Sequence, residues 1–524
     1  MLKNISIIYF LSNPIKFLII VIYFIPITIY AQSELDYKIV NKIKNESYDN
    51  SQAYDILDHI TGVFGPRLSG SKIYMDAARW AKDQLESWGL EDVHFESYSD
   101  DFRSWSINSC SIELLKPRYL KINGLPYAWV KNTRGKIKGV PVLIDHNNLE
   151  ELKKYSGDLR GKIILNPVVG DRDDVRTGPF TDEVLAAAAS HNMPNNPKGL
   201  DNSGLEPFTE SLKRRISKKK ETDIIQSFLL KEKVAAVITG SSSNHGIIYA
   251  RQLPYHKQGD LKPVPHFVIG KEDHRLISGM IRKGLNPKLR LNLNVDFKDV
   301  SENHVNVFGE IPGVDEKLKD QIVLIGGHYD SYHSGTGAAD NGQGCATLME
   351  VMRILKKIDI KPRRTIRIAL WGGEEQGLNG SLDYCEKYVG DVINGTRRKE
   401  HSKISAYFNH DNNGHNIRGI FLQGNPALRP IFEDYLTPFH DIGAKTVTVE
   451  NACCTDHVPF DALNIPAFEW IQDPMHYFTH QIHTNFDIIE LVTKDSLKRN
   501  AAIIATFVYH TAMRDELLPR KNNY

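Results

Sequence analysis

Five segments beyond Gly326 concentrate the residue types that hold metal ions and move protons. They are Gly327-His328-Tyr329-Asp330-Ser331, Gly335-Thr336-Gly337-Ala338-Ala339-Asp340-Asn341-Gly342, Trp371-Gly372-Gly373-Glu374-Glu375-Gln376-Gly377, Asn409-His410-Asp411 and His480-Gln481-Ile482-His483-Thr484. Each alone has an ordinary reading, since a strand-end Asp often makes a turn and adjacent glutamates often face water. Together they bring four imidazoles and five carboxylates to the ends of one predicted sheet. Nitrogen and oxygen donors at an open site suit zinc, with cobalt or manganese as possible substitutes. A carboxylate shared between two ions is what a two-metal centre needs, the ions ~3.5–4 Å apart clamping the attacking and developing oxygens. A further carboxylate must stay off the metal to take the proton of the attacking water. The pair Glu374-Glu375 offers one of each.

The elements that must present these residues can be read from periodicity. Ile322–Gly326, Thr365–Trp371 and Ile404–Asn409 are buried-type strands, and Thr347–Ile358 and Ser496–Met513 are helices with an apolar stripe. Strands alternating with helices imply an α/β sheet covered on both faces. Ligands of such sheets sit at the carboxyl ends of the strands, where the five segments fall. Upstream, Ala53, Ile56, Leu57 and Ile60 recur at helical spacing until Gly65-Pro66-Arg67 breaks the pattern. A second helix over about Tyr74–Trp88 ends at Gly89, a good residue for a helix C-terminus. Between about 126 and 300 the texture changes to short strands, clearest at Val140–Ile144, Lys162–Leu165, Val234–Ile238 and Phe267–Ile269. Within it, Leu212–Glu221 carries six basic residues and reads as a solvated face, and His191–Pro207 reads as a loop.

The segments resemble the co-catalytic zinc aminopeptidases and, more closely, carboxypeptidase Q-like peptidases. The likeness rests on His328-x-Asp330-Ser331, on Gly335-x-Gly337-Ala338-x-Asp340-Asn341-Gly342-x-Gly344, and on Glu374-Glu375-Gln376-Gly377-x-x-Gly380-Ser381. Downstream it rests on Asn409-x-Asp411, Asp456-His457-x-Pro459-Phe460 with Ile465-Pro466-Ala467, and His483-Thr484-x-x-Asp487. Gly65-Pro66-Arg67-Leu68-Ser69-Gly70-Ser71 is similar to the N-terminal arm of these peptidases. Gly161-Lys162-Ile163-Ile164-Leu165 and Val264-Pro265 are similar to the protease-associated domain that many members insert. The resemblance implies a mixed central sheet with helices on both faces, plus an inserted mainly-β protease-associated domain. It divides the chain into a signal peptide at 1–31, peptidase domain at 32–125 and 301–524, and the insert at 126–300. It also implies two zinc ions, with His328 and Asp411 on one, Glu375 and His483 on the other, and Asp340 bridging. Glu374 would be the general base, Asp330 would orient His328, and Asp456 and His457 would shape the substrate side of the cleft. His476 and His480 compete for the last ligand position, and Thr484 and Asp487 decide for His483. His333, His410 and His415 read as structural or rim residues. The chain departs from the pattern at Cys453-Cys454, where relatives carry small residues; these read as two buried small side chains outside the site rather than as a disulfide.

Composition places limits on the rest. With 41% hydrophobic and 25% charged residues over 524 positions, the chain is an ordinary globular protein with room for a large core. A net charge of +1 gives no reason to expect nucleic acid as a partner. Five cysteines are too few for a disulfide scaffold. At the N-terminus, Lys3 and Lys16 precede the apolar run Phe17–Ile25, and Tyr30-Ala31-Gln32 offers a cleavage point after Ala31. The apolar stretch falls short of the ~20 residues that span a bilayer, so export to the periplasm or outside is expected, without stable membrane insertion. The expected function is hydrolysis of short peptides or dipeptides by metal-activated water. The alternatives are a receptor-like binding protein on the same scaffold and a single-zinc glutaminyl cyclase-type enzyme. Oligomeric state is not legible.

Overall fold

Alternating burial along the strands beyond residue 300 organises the fold. The structure, a computed structural model, describes residues 35–167, 169–170, 178–192, 208–300, 302–412 and 414–521. The expected signal at 1–31 and most of the loop expected at 191–207 lie outside them. Six strands form the principal sheet: β1 (Glu91–Ser97), β2 (Val305–Ile311), β3 (Ile322–His328), β4 (Thr365–Trp371), β5 (Ile404–Asn409) and β6 (Ala467–Phe468), in the spatial order β1-β2-β4-β3-β5-β6. The four strands from β4 to β6 run parallel, and β1 and β2 are antiparallel additions at one edge. Val323 and Ile325 of β3 with Ile366, Ile368 and Leu370 of β4 face one core; Ile322 and Leu324 with Ala369 and Trp371 face the other. Side chains of period two thus feed two cores, which is why these strands are mostly apolar, with Arg367 of β4 paired to Glu310.

Helices cover both faces. The first core packs against α1 (Lys72–Ser87), α3 (Gln343–Lys357) and α4 (Lys494–Met513). Ser71 caps α1 by accepting from the Tyr74 amide at 3.1 Å, and Gly89 with φ +78° turns the chain away after it. α3 is buried almost to its end, so its two buried charged residues are compensated: Arg353 donates to Glu350 at 2.7 Å and to Glu46 at 2.7 Å.

Between β1 and β2 the chain builds a second layer. Ser104–Lys116 and Lys288–Lys298 form a long antiparallel pair, and a five-stranded sheet stands beside it with the strands Ile163–Leu165, Ala236–Gly240 and His266–Ile269 at its centre. The basic run lies on α2 (Phe208–Lys231), a helix the strand-like texture of this region did not announce. The later half of α2 packs Leu229 into a small core with Val234 and Val237, while the earlier half projects beyond it.

Candidate metal centre

Register sets the site. His328, the last residue of β3, lies beside Trp371 at the end of β4, and Gly326 lies beside Asn409 at the end of β5. The turns after the three strands therefore open on one level and carry Asp330, Glu374-Glu375 and Asp411. Asp340 arrives from the loop ahead of α3 and His483 from the loop ahead of α4.

The structure brings together His328, Asp340, Glu375, Asp411 and His483. His328 Nε2 is 3.2 Å from Asp340 Oδ1 and 3.4 Å from Asp411 Oδ1. His483 Nε2 is 3.3 Å from Asp340 Oδ2 and 3.1 Å from Glu375 Oε2. Asp340 thus turns one oxygen to each histidine. Three overlapping groups have donor atoms close enough to share an ion: His328-Asp340-Asp411, Asp340-Glu375-His483 and His328-Glu374-Glu375. Of the three neighbouring histidines, His483 faces the cluster, whereas His480 bonds Thr479 and packs edge-on against His476.

The donor set fits a cation. Among the described residues no Lys or Arg pairs with Asp340, Glu374, Glu375 or Asp411, and buried Glu375 Oε1 and Asp340 Oδ2 lack hydrogen-bond partners. Burial pushes the Glu374 carboxyl well up; His328 opposes this and the Glu375, Asp456 and Asp411 carboxylates reinforce it. Burial pushes Glu375 up as well, with Asp340 adding to it. Burial works against a charged His328, but Asp411 and Glu374 override it and hold its pKa well above the usual range. Such a concentration of buried negative charge calls for positive charge.

Several neighbours fix the positions of these side chains. His328 Nδ1 meets the Asp330 backbone carbonyl at 3.0 Å, with the Asp330 carboxylate at 3.8 Å; that carboxylate accepts from the Glu374 amide at 3.2 Å. Asp330 therefore touches both His328 and the turn bearing Glu374. Other contacts escaped sequence reasoning. Asp487 accepts from the Ala339 amide at 2.6 Å and the Asp340 amide at 3.3 Å. Glu469 accepts from Asn409 at 2.6 Å and from the Asp411 amide at 3.3 Å. Tyr332 stacks on His483 with centroids 3.8 Å apart, and Tyr249, from the second layer, reaches His483 Nδ1 at 3.3 Å. Fully buried Arg67 donates to the carbonyls of Tyr329, Thr336 and Gly337, each at 2.9 Å, and to that of Gly65 at 2.8 Å. Asp487 and Arg67 stood inside quoted motifs, but nothing local marked their partners.

Two expectations change. Asp456 and His457 are fully buried and are not among the residues that line the cleft cavity. Asp456 accepts from the Ser381 hydroxyl at 2.5 Å, and His457 bonds Gln423 at 2.9 Å. Cys453 and Cys454 form a disulfide, and Cys454 is exposed on the cleft wall. The expectation of two separate buried thiols away from the site fails because the loop ahead of Thr455 runs along the rim.

The carboxylate cluster floors a cavity of roughly 640 Å³. Residues of the second layer supply one wall, among them Arg215, Lys218 and Gln252. His333, His410 and His415 do not line it; His333 instead meets the Pro126 carbonyl at 2.8 Å.

The sequence profile of peptidase family M28 matches residues 306–508. That stretch runs from β2 into α4 and contains every residue of the carboxylate-histidine cluster. It is a family M28 peptidase domain. Beyond the M28 domain, the chain is similar to carboxypeptidase Q of Mus musculus, 25% identical over 94% of this chain and 90% of that one. In structure it is similar to a peptidase M28 precursor from Shewanella amazonensis, with a TM-score of 0.65 at 22% identity over 93% of this chain and 99% of that one. It is also similar to a zinc aminopeptidase from Bacillus subtilis, with a TM-score of 0.55 at 20% identity over 88% and 95%. The mixed sheet with helices on both faces is thus the zinc exopeptidase fold.

Proposed function

We propose that this M28 peptidase is a zinc-dependent exopeptidase of short peptides or dipeptides. In this reading His328 and Asp411 hold one ion, Glu375 and His483 the other, and Asp340 bridges them. One observation carries it: the two oxygens of Asp340 face two histidines from separate loops, and each histidine meets a second carboxylate. When bound, the metal pair supplies Lewis-acid charge, which polarises the substrate carbonyl and brings the pKa of water from 15.7 to about 7. Glu374 is the carboxylate left over and takes the proton of the attacking water. It then passes that proton to the leaving nitrogen, so the amide departs as an amine. Asp330, bonded to the Glu374 amide, holds this base in place.

The cavity volume supports short substrates, being in the range that encloses small ligands. We take residues 126–300 as an inserted protease-associated domain that walls the cleft; Tyr249 and Gln252 are its contacts to the site. We place the enzyme outside the cytoplasm on the export signal read at 1–31. The Cys453–Cys454 disulfide suits an oxidising compartment, and among the described residues no helix is long and apolar enough to cross a membrane.

The test is elemental analysis of the purified protein together with a dipeptide panel before and after chelation. About two zinc per chain, with hydrolysis lost on chelation and restored by zinc, is the expected result. Folded protein that neither binds zinc nor cleaves any member of the panel would overturn the reading.

A further inference from the structure

The basic run on α2 is split by the fold. Of its six bases, Arg215, Lys218 and Lys219 line the same cavity as Glu374 and Glu375; Lys213, Arg214 and Lys220 do not. The spacing accounts for this, because residues 215, 218, 219 and 222 lie on one helical face, and Thr222 lines the cavity too. Lys219 is already engaged, 3.0 Å from Asp260 and 3.5 Å from Asp223. Arg215 and Lys218 meet no carboxylate among the described residues. Arg215 also lies close over the turn that carries the catalytic pair: a Cβ added at Gly377 would stand 2.7 Å from its Nη1. Gly377 is two residues past Glu375, and its amide closes that turn on the Glu374 carbonyl at 2.7 Å.

One cavity therefore has carboxylates at its floor and, on its wall, two cations without a carboxylate partner among the described residues, one of them close in space to the turn that carries the proposed base. A solvated face explains charge on α2 but not why two cations that meet no carboxylate among the described residues line the cleft. We infer that Arg215 and Lys218 are specificity-determining residues that receive the carboxylates of the leaving residue, so that short peptides ending in Asp or Glu are preferred. Two cations match the two carboxylates of such a residue, one on its main chain and one on its side chain. The inference rests on the exopeptidase reading for the orientation of the substrate, with its scissile bond at the floor.

The test compares Ala-Glu, Ala-Gln and the C-terminal amide of Ala-Gln, in the wild-type protein and in R215Q/K218Q. Both side chains are exposed and neither meets a carboxylate among the described residues, so the double variant is expected to fold and to hold the same zinc content. Calorimetric binding to chelated protein, which cannot turn over, reads recognition without the reaction. Wild type is expected to bind Ala-Glu about tenfold more tightly than Ala-Gln, the worth of one charge-assisted bond. Ala-Gln should in turn exceed its amide, and both preferences should weaken as salt rises. In the double variant the preferences should collapse towards one, as should the kcat/KM ratio of Ala-Glu to Ala-Gln in the zinc-loaded enzyme. The Glu–Gln pair reads the side-chain carboxylate, and the acid–amide pair reads the main-chain one. Loss of either preference in R215Q/K218Q supports the inference. Equal binding of all three by wild type, or preferences that survive in the double variant, overturns it. If chelated protein discriminates but zinc-loaded protein cleaves nothing, the wall stands and the hydrolase reading falls.

Discussion

Replacing Arg67 tests whether the site is held from behind. Its guanidinium bonds the carbonyls of Tyr329, Thr336 and Gly337, all on the segment between His328 and Asp340. In R67M these three carbonyls would stay buried without donors. A bond from a charged donor is worth about 1.5–3 kcal/mol, so even the lower end gives a loss of about 5 kcal/mol, close to the whole stability of a marginal protein. R67K keeps the charge but concentrates its donors on one atom, so it should recover about half of the loss. Guanidinium unfolding followed by tryptophan fluorescence gives the stability, and competition with a chelator gives zinc affinity. Because the same segment positions both His328 and Asp340, affinity should fall about 10- to 100-fold in whichever variant folds. A stability loss below about 1 kcal/mol in R67M with unchanged zinc affinity would refute the reasoning, since the carbonyls would then have found other partners.

Three further outcomes are expected. E374Q should keep its zinc, measured by elemental analysis, while kcat falls by about 10²- to 10⁴-fold; near-normal turnover would remove Glu374 as the base. D487N keeps one acceptor for the Ala339 and Asp340 amides but loses the charge, so chelator competition should show weaker zinc binding with secondary structure intact. His304 is buried against the Arg103 carbonyl, and burial pushes its pKa down to about 4. Unfolded chains protonate histidine near 6.5, so this group costs stability as pH falls from about 6.5 to 4, at about 1.4 kcal/mol per pH unit. The acid limb of the stability profile should be shallower by that slope in H304Q, and an identical limb would show that His304 titrates normally.

What the sequence made legible was whatever is local. β3, β4 and β5 were readable because short, largely apolar runs of that length have few other uses. Among the proposed ligands, His328, Glu375 and Asp411 were readable because they end or follow strands, and Asp340 because it stands in a glycine-rich loop. α1 announced its end through Gly89. The contacts that hold the ligands were not readable, since Arg67 reaches partners more than 260 residues away and Tyr249 supports His483 from another layer. Periodicity carries no information at such separations. The basic run gave its charge but not its direction, because facing the cleft depends on where the later half of α2 packs. Asp456-His457 had the composition of a site pair, and only the fold reveals that it is buried against Ser381 and Gln423 and does not line the cavity.

The pairing of β1 with β2 carries a consequence for assembly. Ser97 lies opposite Val305, so about two hundred residues leave and re-enter at neighbouring rungs of one ladder. On a growing chain, β1 waits for that whole stretch to be synthesised before its partner exists. The delay is less costly in equilibrium terms than in time: loop-closure entropy grows with the logarithm of length, so a tenfold longer excursion adds only about 2 kcal/mol. Once the excursion folds, the long pair Ser104–Lys116 and Lys288–Lys298 brings its two ends side by side and removes most of that search. The second layer would then act as the splint on which the edge of the peptidase sheet closes. Residues added to its outer turns should be tolerated, whereas breaking that pair should slow the closing of β1 on β2.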